Sequence, residues 1–203
     1  VVATEPSSSD ELVTRCLTAA ESQHIKPLIV LNKSDLTDKL PAAEATLAPI
    51  AHIGYPILKL CARTDAETLW PFLRGETSVL VGQSGMGKST LTSALVPHAQ
   101  ATTREVSLAL DSGKHTTTHA TLYRLDAQSA LIDSPGLQEF GLHHLATTDI
   151  EQAFPEFRPL LGQCRFRNCR HDREPDCALR AAVENGTIDS RRFSTFHALI
   201  AEA

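Results

Sequence analysis

One glycine-rich segment constrains the fold of this 203-residue chain more than any other feature. An apolar stretch at residues 79–81 precedes a full match to the pattern G-x-x-x-x-G-K-[ST], and a helical pattern follows it. Strand, loop and helix in this order predict a phosphate-binding loop, whose glycines let backbone N–H groups point at an anion. A glycine turn that merely joins a strand to a helix is the weaker alternative. The segment comprises Gly82, Gln83, Ser84, Gly85, Met86, Gly87, Lys88, Ser89 and Thr90.

Two side chains of this loop have predicted roles beyond backbone contacts. We expect Lys88 to reach the β- and γ-phosphates of a nucleoside triphosphate, and Ser89 to hold the accompanying Mg²⁺. The amino terminus of the following helix adds its partial positive charge to the site. The loop itself does not indicate which base is bound.

A second motif, Asn32-Lys33-Ser34-Asp35, follows the apolar strand pattern at residues 28–31 and identifies the base. N-K-x-D resembles the guanine-specificity motif of translation-factor-type GTPases. Asp35 can accept from guanine N1–H and the 2-amino group, a donor pair that adenine lacks, so an adenine-specific kinase is a poor alternative. We expect Lys33 to pack along the base and Asn32 to connect this loop to the phosphate loop. Taken alone, the motif could also be a helix-capping turn.

The pair Cys61-Ala62 follows the next strand pattern. GTPases usually carry Ser-Ala at this position, where a main-chain N–H donates a hydrogen bond to guanine O6. Cysteine departs from that pattern, although a main-chain contact tolerates the change. Cys61 could equally be a small buried packing residue.

Two further segments are predicted to sense the γ-phosphate. Asp133-Ser134-Pro135-Gly136 fits D-x-x-G after a strand pattern, with Asp133 expected to contact Mg²⁺ through water and the Gly136 N–H to meet the phosphate. Thr117, near the end of a polar stretch at residues 97–118 that is predicted as a long mobile loop, is the expected threonine ligand of Mg²⁺. The alternatives are an ordinary Ser-Pro-Gly turn and a solvated threonine-rich linker.

The residue after D-x-x-G is Leu137, where many GTPases carry the glutamine that orients the attacking water. Leucine cannot orient water, so hydrolysis needs another group or stays slow until a partner acts. His115 is our hypothesis for the water-positioning group, and an exposed loop histidine is the alternative.

The order of these motifs is unusual. The guanine motif and Cys61-Ala62 precede the phosphate loop, the threonines and D-x-x-G, whereas in ordinary GTPases they follow them. Because strand and helix patterns alternate up to residue 133, we predict an α/β fold: a circularly permuted P-loop GTPase with a mostly parallel sheet and helices on both faces. Helices are predicted at residues 10–20, from Pro41, from Thr64 with Glu67 completing a capping box, and at residues 188–203.

Four metal-binding side chains lie close together beyond residue 160. Three cysteines and one histidine supply the N/S ligand number of a closed tetrahedral zinc site, which favours a structural role over a catalytic one. Reduced, unligated cysteines are the alternative. The four residues are Cys164, Cys169, His171 and Cys177.

Arginines surround this cluster and could meet RNA phosphate, but nearby acidic residues make a solvated surface about equally plausible. Net charge is −5, so the whole chain lacks the basic field typical of nucleic-acid binding, and no apolar run is long enough to span a membrane. The arginines are Arg158, Arg165, Arg167, Arg170, Arg173 and Arg180.

Together the motifs resemble the RsgA/YjeQ family, circularly permuted GTPases of bacterial small-subunit ribosome assembly, over essentially the whole chain. His115-Thr116-Thr117-Thr118, Phe140-Gly141-Leu142 and the Cys/His spacing add to the nucleotide motifs. The resemblance implies binding of GTP and GDP, Mg²⁺, structural zinc, and GTP hydrolysis stimulated by the small ribosomal subunit during its late maturation. It also implies an N-terminal OB-fold that binds rRNA and that this sequence does not include.

We therefore predict a permuted GTPase domain at residues 1–143 and a helical zinc-binding domain at residues 144–203. The chain is expected to be a cytoplasmic monomer that contacts the small subunit and its rRNA through the tail and the missing OB-fold. An alternative function is an RNA-docking assembly module in which nucleotide only sets the conformation.

Overall fold

The structure is a computed structural model that describes residues 1–96, 104–106, 120–135 and 141–202. Two sheets lie in the amino-terminal two thirds of the chain, and the elements described beyond residue 141 are helices. The strands are β1 (Val2–Ala3), β2 (Ile29–Asn32), β3 (Ile57–Lys59), β4 (Thr77–Leu80), β5 (Arg104–Val106), β6 (Ala120–Arg124) and β7 (Ala130–Asp133). The helices are α1 (Asp10–Ser22), α2 (Leu40–Ile53), α3 (Trp70–Leu73), α4 (Lys88–Leu95), α5 (Thr147–Gln152), α6 (Ala178–Glu184) and α7 (Ser190–Glu202).

The first sheet has the order β1-β2-β3 and is parallel throughout. All four residues of β2 are buried, as expected for the central strand of a parallel sheet covered on both faces. The second sheet has the order β4-β7-β6-β5, in which β4 and β7 are parallel. Val1 N donates to Val81 O at 2.5 Å, so the residue before β1 lies beside the residue before the phosphate loop.

The mixed α/β class is confirmed, and three details differ from the sequence prediction. β5, β6 and β7 pair antiparallel, and β5 lies inside the stretch that was predicted as a loop. Helix formation after β3 begins with a 3-10 turn at Ala66–Leu69, so the predicted start at Thr64 and its capping box are wrong. The reason is that the Thr64 hydroxyl donates to the Asp65 carboxylate at 3.2 Å instead of capping a helix.

The described contacts divide the chain into two compact units. Unit 1 comprises residues 1–8, 28–45 and 57–138, and unit 2 comprises residues 9–27, 46–56 and 139–203. Each unit has its own apolar core: Leu60, Leu91 and Leu131 lie at the centre of one, and Phe154, Phe157 and Phe196 at the centre of the other. Unit 2 includes α1 from the amino-terminal part of the chain, so one boundary in the sequence cannot separate the two units. The predicted domain boundary at residue 143 remains a prediction.

Helix α1 illustrates how local sequence fixes an element of unit 2. Ser9 caps it by accepting from the Leu12 N–H at 3.3 Å. Asp10 and Glu11 occupy the first turn, where negatively charged side chains interact favourably with the helix dipole and stabilise the helix. Within the described ranges, no helix combines the length and apolarity needed to cross a bilayer.

Candidate functional site

The phosphate loop joins β4 to α4 in unit 1, as its motif predicts. Gly85 and Gly87 have φ of 82° and 89°, in the left-handed region that side chains disfavour. Position 87 is restricted a second time, because a Cβ there would lie 2.2 Å from Asn32 Nδ2. Glycine at this position is therefore needed both for the turn and for the close approach of the guanine motif.

Asn32 connects three loops of the site. It ends β2 with its side chain only 2% exposed. Its Nδ2 donates to Met86 O at 2.9 Å, and its Oδ1 accepts from the Ala62 N–H at 2.9 Å. One amide thus brings the guanine motif, the phosphate loop and the Cys61-Ala62 segment together.

Lys33 makes a second connection between the guanine motif and the phosphate loop. Its Nζ donates to Gly85 O at 3.0 Å and to Glu5 O at 2.6 Å. Its own backbone is left-handed, with φ of 59°. Two residues later Asp35 is exposed, so its carboxylate is open to a ligand.

The Cys61-Ala62 segment is held by a residue that the sequence interpretation did not single out. The Asp65 carboxylate accepts from the Cys61 N–H at 2.6 Å, while the Ala62 N–H donates to Asn32. The Cys61 and Ala62 N–H groups, one of which was expected to contact guanine O6, therefore both have internal partners. An aspartate four residues after the slot was the available signal, but turn-forming aspartates are too common to be diagnostic.

Lys88 begins α4 and is 7% exposed. Its Nζ donates to Gly82 O at 2.7 Å and to Gln83 O at 3.0 Å, so the ammonium lies within the cradle of the loop. Burial lowers the pKa of Lys88, and the charge of Asp133 opposes this shift. A phosphate would favour the charged ammonium in the same way and more strongly.

Asp133 ends β7 and is 8% exposed. Burial raises the pKa of this carboxyl, while a hydrogen bond from Thr92 and the charge of Lys88 lower it. The next residue, Ser134, is tied back to β4 because its hydroxyl donates to Leu80 O. The charges of the buried Asp133 carboxylate and the buried Lys88 ammonium interact, and such a pair of charges suits a site for a phosphate with its cation.

The possible Mg²⁺ ligands are only partly described. Ser89 lies in the first turn of α4 and is exposed, and Thr90 beside it is exposed too. Hydroxyl and carboxylate oxygens such as those of Ser89 and Asp133 are the ligands that Mg²⁺ prefers. The predictions made for His115, Thr117, Gly136 and Leu137 fall outside the described residues.

The predicted metal ligands come together in unit 2. The ligand atoms of Cys164, Cys169, His171 and Cys177 all lie within 4.8 Å of one another. Cys164 Sγ is 3.9 Å from Cys177 Sγ, and His171 Nδ1 is 3.6 and 3.3 Å from these two sulfurs. Zinc bonds of about 2.3 Å to sulfur and about 2.0 Å to nitrogen separate tetrahedral ligands by roughly 3.5 to 3.8 Å, close to the distances among Cys164, His171 and Cys177. Cys169 lies within 4.8 Å of these atoms, so the four residues form a donor set of the kind that zinc prefers.

Surrounding groups orient these ligands. His171 Nε2 lies 3.6 Å from Glu151 Oε1, which leaves Nδ1 as the metal-facing nitrogen, and the Ala178 N–H donates to Cys164 Sγ at 3.4 Å. Burial lowers the pKa of His171, which keeps the imidazole in the neutral form that binds metal. Glu151 was not singled out from the sequence because its place beside His171 depends on tertiary packing.

Glu174 organises the loop between the ligands. Its carboxylate accepts from the N–H groups of Arg170, Asp172 and Arg173 at 2.9 to 3.1 Å. These backbone donors, that of Arg170 first, lower the pKa of Glu174 to about 2. The loop is thus held by an ionised carboxylate as well as by the candidate metal ligands.

The arginines near the cluster are mostly on the surface. Arg165, Arg167, Arg170 and Arg173 are exposed, and Arg165 stands 5.5 Å from the ring centre of Phe166, itself 41% exposed. Several arginines form surface ion pairs that contribute little to stability. These pairs are Arg158–Glu21, Arg165–Asp176, Arg173–Asp172 and Arg180–Glu184.

Comparison with known proteins identifies the family to which this chain is similar. Residues 1–143 match the family model described as RsgA GTPase. The small ribosomal subunit biogenesis GTPase RsgA of Nitrosomonas europaea is 52% identical over 203 residues, covering 98% of this chain, and the protein of that name from Burkholderia mallei is 52% identical over 207 residues, covering 100%. This chain spans 65% and 66% of the length of these two relatives.

Solved structures show the same likeness. YloQ, described as a circularly permuted GTPase, aligns with a TM-score of 0.76 at 26% identity over 99% of this chain and 66% of its own. YjeQ from Thermotoga maritima aligns with a TM-score of 0.78 at 29% identity over 100% of this chain and 69% of its own. The permuted arrangement predicted from motif order is thereby confirmed, and the chain belongs to the RsgA GTPase family.

Proposed function

We propose that this chain binds GTP and GDP and hydrolyses GTP to GDP and phosphate, acting as a switch in late maturation of the small ribosomal subunit. The observation that carries the proposal is the position of Asn32, which bonds both Met86 of the phosphate loop and Ala62. These two bonds hold the guanine motif next to the phosphate loop, and this supports the proposal that both belong to one nucleotide site. Asp35 would accept from the guanine N1–H and 2-amino groups.

The phosphates would lie on the backbone of the loop, with Lys88 exchanging its present carbonyl partners for phosphate oxygens. Ser89 would hold Mg²⁺ directly and Asp133 would hold it through water. When bound, Mg²⁺ neutralises charge on the β- and γ-phosphates. Lys88 would add its own positive charge at the same phosphates, and the loop N–H groups would fix their position.

The γ-phosphate would be sensed by Thr117 and the Gly136 N–H, and His115 is our candidate for positioning the attacking water. Leu137 cannot perform that task, so we infer a slow intrinsic rate that a bound partner raises. His115→Ala should leave GTP affinity near normal and lower turnover.

We infer that the chain acts as a monomer in the bacterial cytoplasm, and the partner that we propose is the small ribosomal subunit with its rRNA. The names of its relatives support this assignment. In the chain itself, exposed arginines beside the exposed Phe166 ring offer phosphate contacts and a surface on which an unpaired base can stack. Zinc held by the Cys/His cluster would stabilise the loop that carries them.

The second candidate function, an RNA-docking module in which nucleotide only sets conformation, is favoured by Leu137 and by the same arginines. Single-turnover hydrolysis of GTP, with and without small subunits, separates the two. We expect slow hydrolysis by the chain alone and a higher rate with subunits. A negligible rate in both conditions would favour the module.

Two controls make this experiment specific. Lys88→Ala should abolish the rate, whereas Lys26→Ala, at an exposed lysine outside the site, should not change it. Unlabelled ATP should fail to displace labelled GTP, and strong displacement would contradict the guanine assignment.

A further inference from the structure

We propose that Thr4 is a positioning residue of the guanine site, whose hydroxyl holds Lys33 in the backbone conformation that presents Asp35 to the base. The inference rests on the proposed function, because it gives a reason for the base specificity assumed there. Thr4 belongs to none of the nucleotide motifs and lies far from them in the sequence.

Thr4 directly follows β1 and is 7% exposed. Its N–H donates to Asn32 O at 3.2 Å, which continues the β1–β2 pairing by one residue. Its hydroxyl donates to Lys33 O at 2.9 Å. Thr4 therefore bonds two consecutive carbonyls of the guanine motif, one through its backbone and one through its side chain.

Lys33 needs such a restraint. Its φ of 59° lies in the left-handed region, which a residue with a Cβ adopts only when surrounding contacts favour it. Lys33 O also accepts from the Leu36 N–H at 3.1 Å, so this carbonyl closes the turn that contains Asp35. The Thr4 hydroxyl occupies the second acceptor position of the same oxygen and fixes the orientation of that turn.

The neighbouring residue holds the other end of Lys33. Glu5 O accepts from Lys33 Nζ at 2.6 Å, and the same ammonium donates to Gly85 O of the phosphate loop. Thr4 and Glu5 thus bind the carbonyl and the ammonium of one lysine. The segment after β1 acts as a clamp on the guanine motif.

A purely steric role is the competing explanation, because a buried β-branched residue also fills space beside a strand end. Threonine and valine are close in shape, so Thr4→Val removes the hydroxyl and keeps most of the packing. Thr4→Ser keeps the hydroxyl and removes the methyl group. The pair therefore separates hydrogen bonding from packing.

The experiment is calorimetric titration of the 203-residue chain and these two variants with GDP, IDP and ADP. IDP lacks the 2-amino group, so it makes only one of the two hydrogen bonds that Asp35 offers GDP. We expect Thr4→Val to weaken GDP binding roughly three- to tenfold, the loss of about one hydrogen bond, and to weaken IDP binding less. Thr4→Ser should retain the GDP-over-IDP preference of the unmodified chain.

A residue with only a packing role would change the GDP and IDP affinities equally, so a change in the ratio of these two affinities indicates a role in positioning Asp35. Equal losses for GDP and IDP, or no loss, would overturn the role of Thr4. If Thr4→Val is unfolded at the assay temperature, Thr4→Ala removes the same hydroxyl without adding a methyl group, and the same ratio decides. An unmodified chain that does not prefer GDP over ADP would instead contradict the proposed function itself.

Discussion

Asn32 shows how much a single side chain can organise in this protein. Its amide has one acceptor and one donor group, and both are used by backbone atoms of other loops. Because the side chain is buried, losing either bond leaves a polar group unsatisfied, which typically costs about 1–3 kcal/mol. Asn32 therefore links the guanine motif to the phosphate loop, as Lys33 also does, while the exposed Asp35 stays available for the base that it is predicted to select.

Asp35→Asn should change base preference without preventing nucleotide binding. The asparagine Nδ2 offers a donor where guanine also presents its 2-amino donor, so GDP affinity should fall by roughly two orders of magnitude or more. Xanthine carries an oxygen at that position and retains N1–H, so XDP should bind the variant better than GDP. Competitive titration with GDP and XDP measures the reversal.

The matched control is Asp38→Asn, at another exposed aspartate in the same stretch of chain. It removes the same charge outside the motif and should leave the preference for GDP intact. If Asp35→Asn binds GDP as tightly as the unmodified chain does, the assignment of Asp35 to the base is wrong.

At the scale of elements, residues 164–177, the candidate metal-binding loop, combine possible ligand atoms with groups that hold them in place. Cys177 precedes α6, whose first N–H, that of Ala178, donates to Cys164 Sγ. Glu151 extends from α5 toward His171. Two helices of unit 2 are thereby oriented around the four candidate ligands.

Glu151→Ala should weaken zinc binding by roughly tenfold or more, because carboxylates that orient ligating histidines typically contribute this much. Competition with a chromophoric chelator measures the zinc affinity of the purified chain. Glu184→Ala is the control, since Glu184 is an exposed glutamate of α6 whose nearest ion-pair distance is 4.0 Å. Equal zinc affinities in the two variants would rule out an orienting role for Glu151.

The same elements show which contacts could be predicted from the sequence and which could not. The connecting role of Asn32 could be predicted because it belongs to a recognisable motif. The candidate metal ligands could be predicted because three cysteines and one histidine are the types and number of residues that a zinc site needs. Thr4 and Asp65 act through ordinary hydrogen bonds, and Glu151 acts through its 3.6 Å approach to His171. Many threonines and carboxylates make such contacts, so no local pattern marks these three residues. The antiparallel pairing of β6 and β7 depends on a turn in which Asp126 accepts from the Gln128 and Ser129 N–H groups. That turn becomes recognisable as a hairpin only once the strand directions are known.

At the scale of the whole molecule, stability comes from two separate apolar cores. The core of unit 1 is aliphatic and is built from β2, β4, β7, α4 and the turn after β3. The core of unit 2 combines aliphatic side chains with an aromatic cluster, in which Phe154 and Phe157 are stacked at 4.8 Å between ring centres and Phe196 is edge-on to both. Unit 2 also buries Arg192 in a bidentate bond to Glu156, at 2.8 and 3.1 Å.

Different ligands should stabilise the two units, because the nucleotide motifs belong to unit 1 and the candidate metal ligands belong to unit 2. Adding GDP should slow amide exchange most in β2, the phosphate loop and α4, since binding stabilises only the folded form of the site. Removing zinc with a chelator should speed exchange in the metal-binding loop, α5 and α6, because metal binding there contributes folding free energy. Hydrogen exchange read by mass spectrometry resolves both responses in one experiment.

The Cys177→Ser variant tests the effect of losing zinc without the use of a chelator. It removes one of four ligands, so its exchange in α5 and α6 should match that of the chelated chain, while β2 and α4 keep their response to GDP. Chelation that raised exchange in β2 and α4 as much as in α6 would contradict separate stabilisation of the two cores. Chelation without effect on the metal-binding loop would instead remove the case for structural zinc.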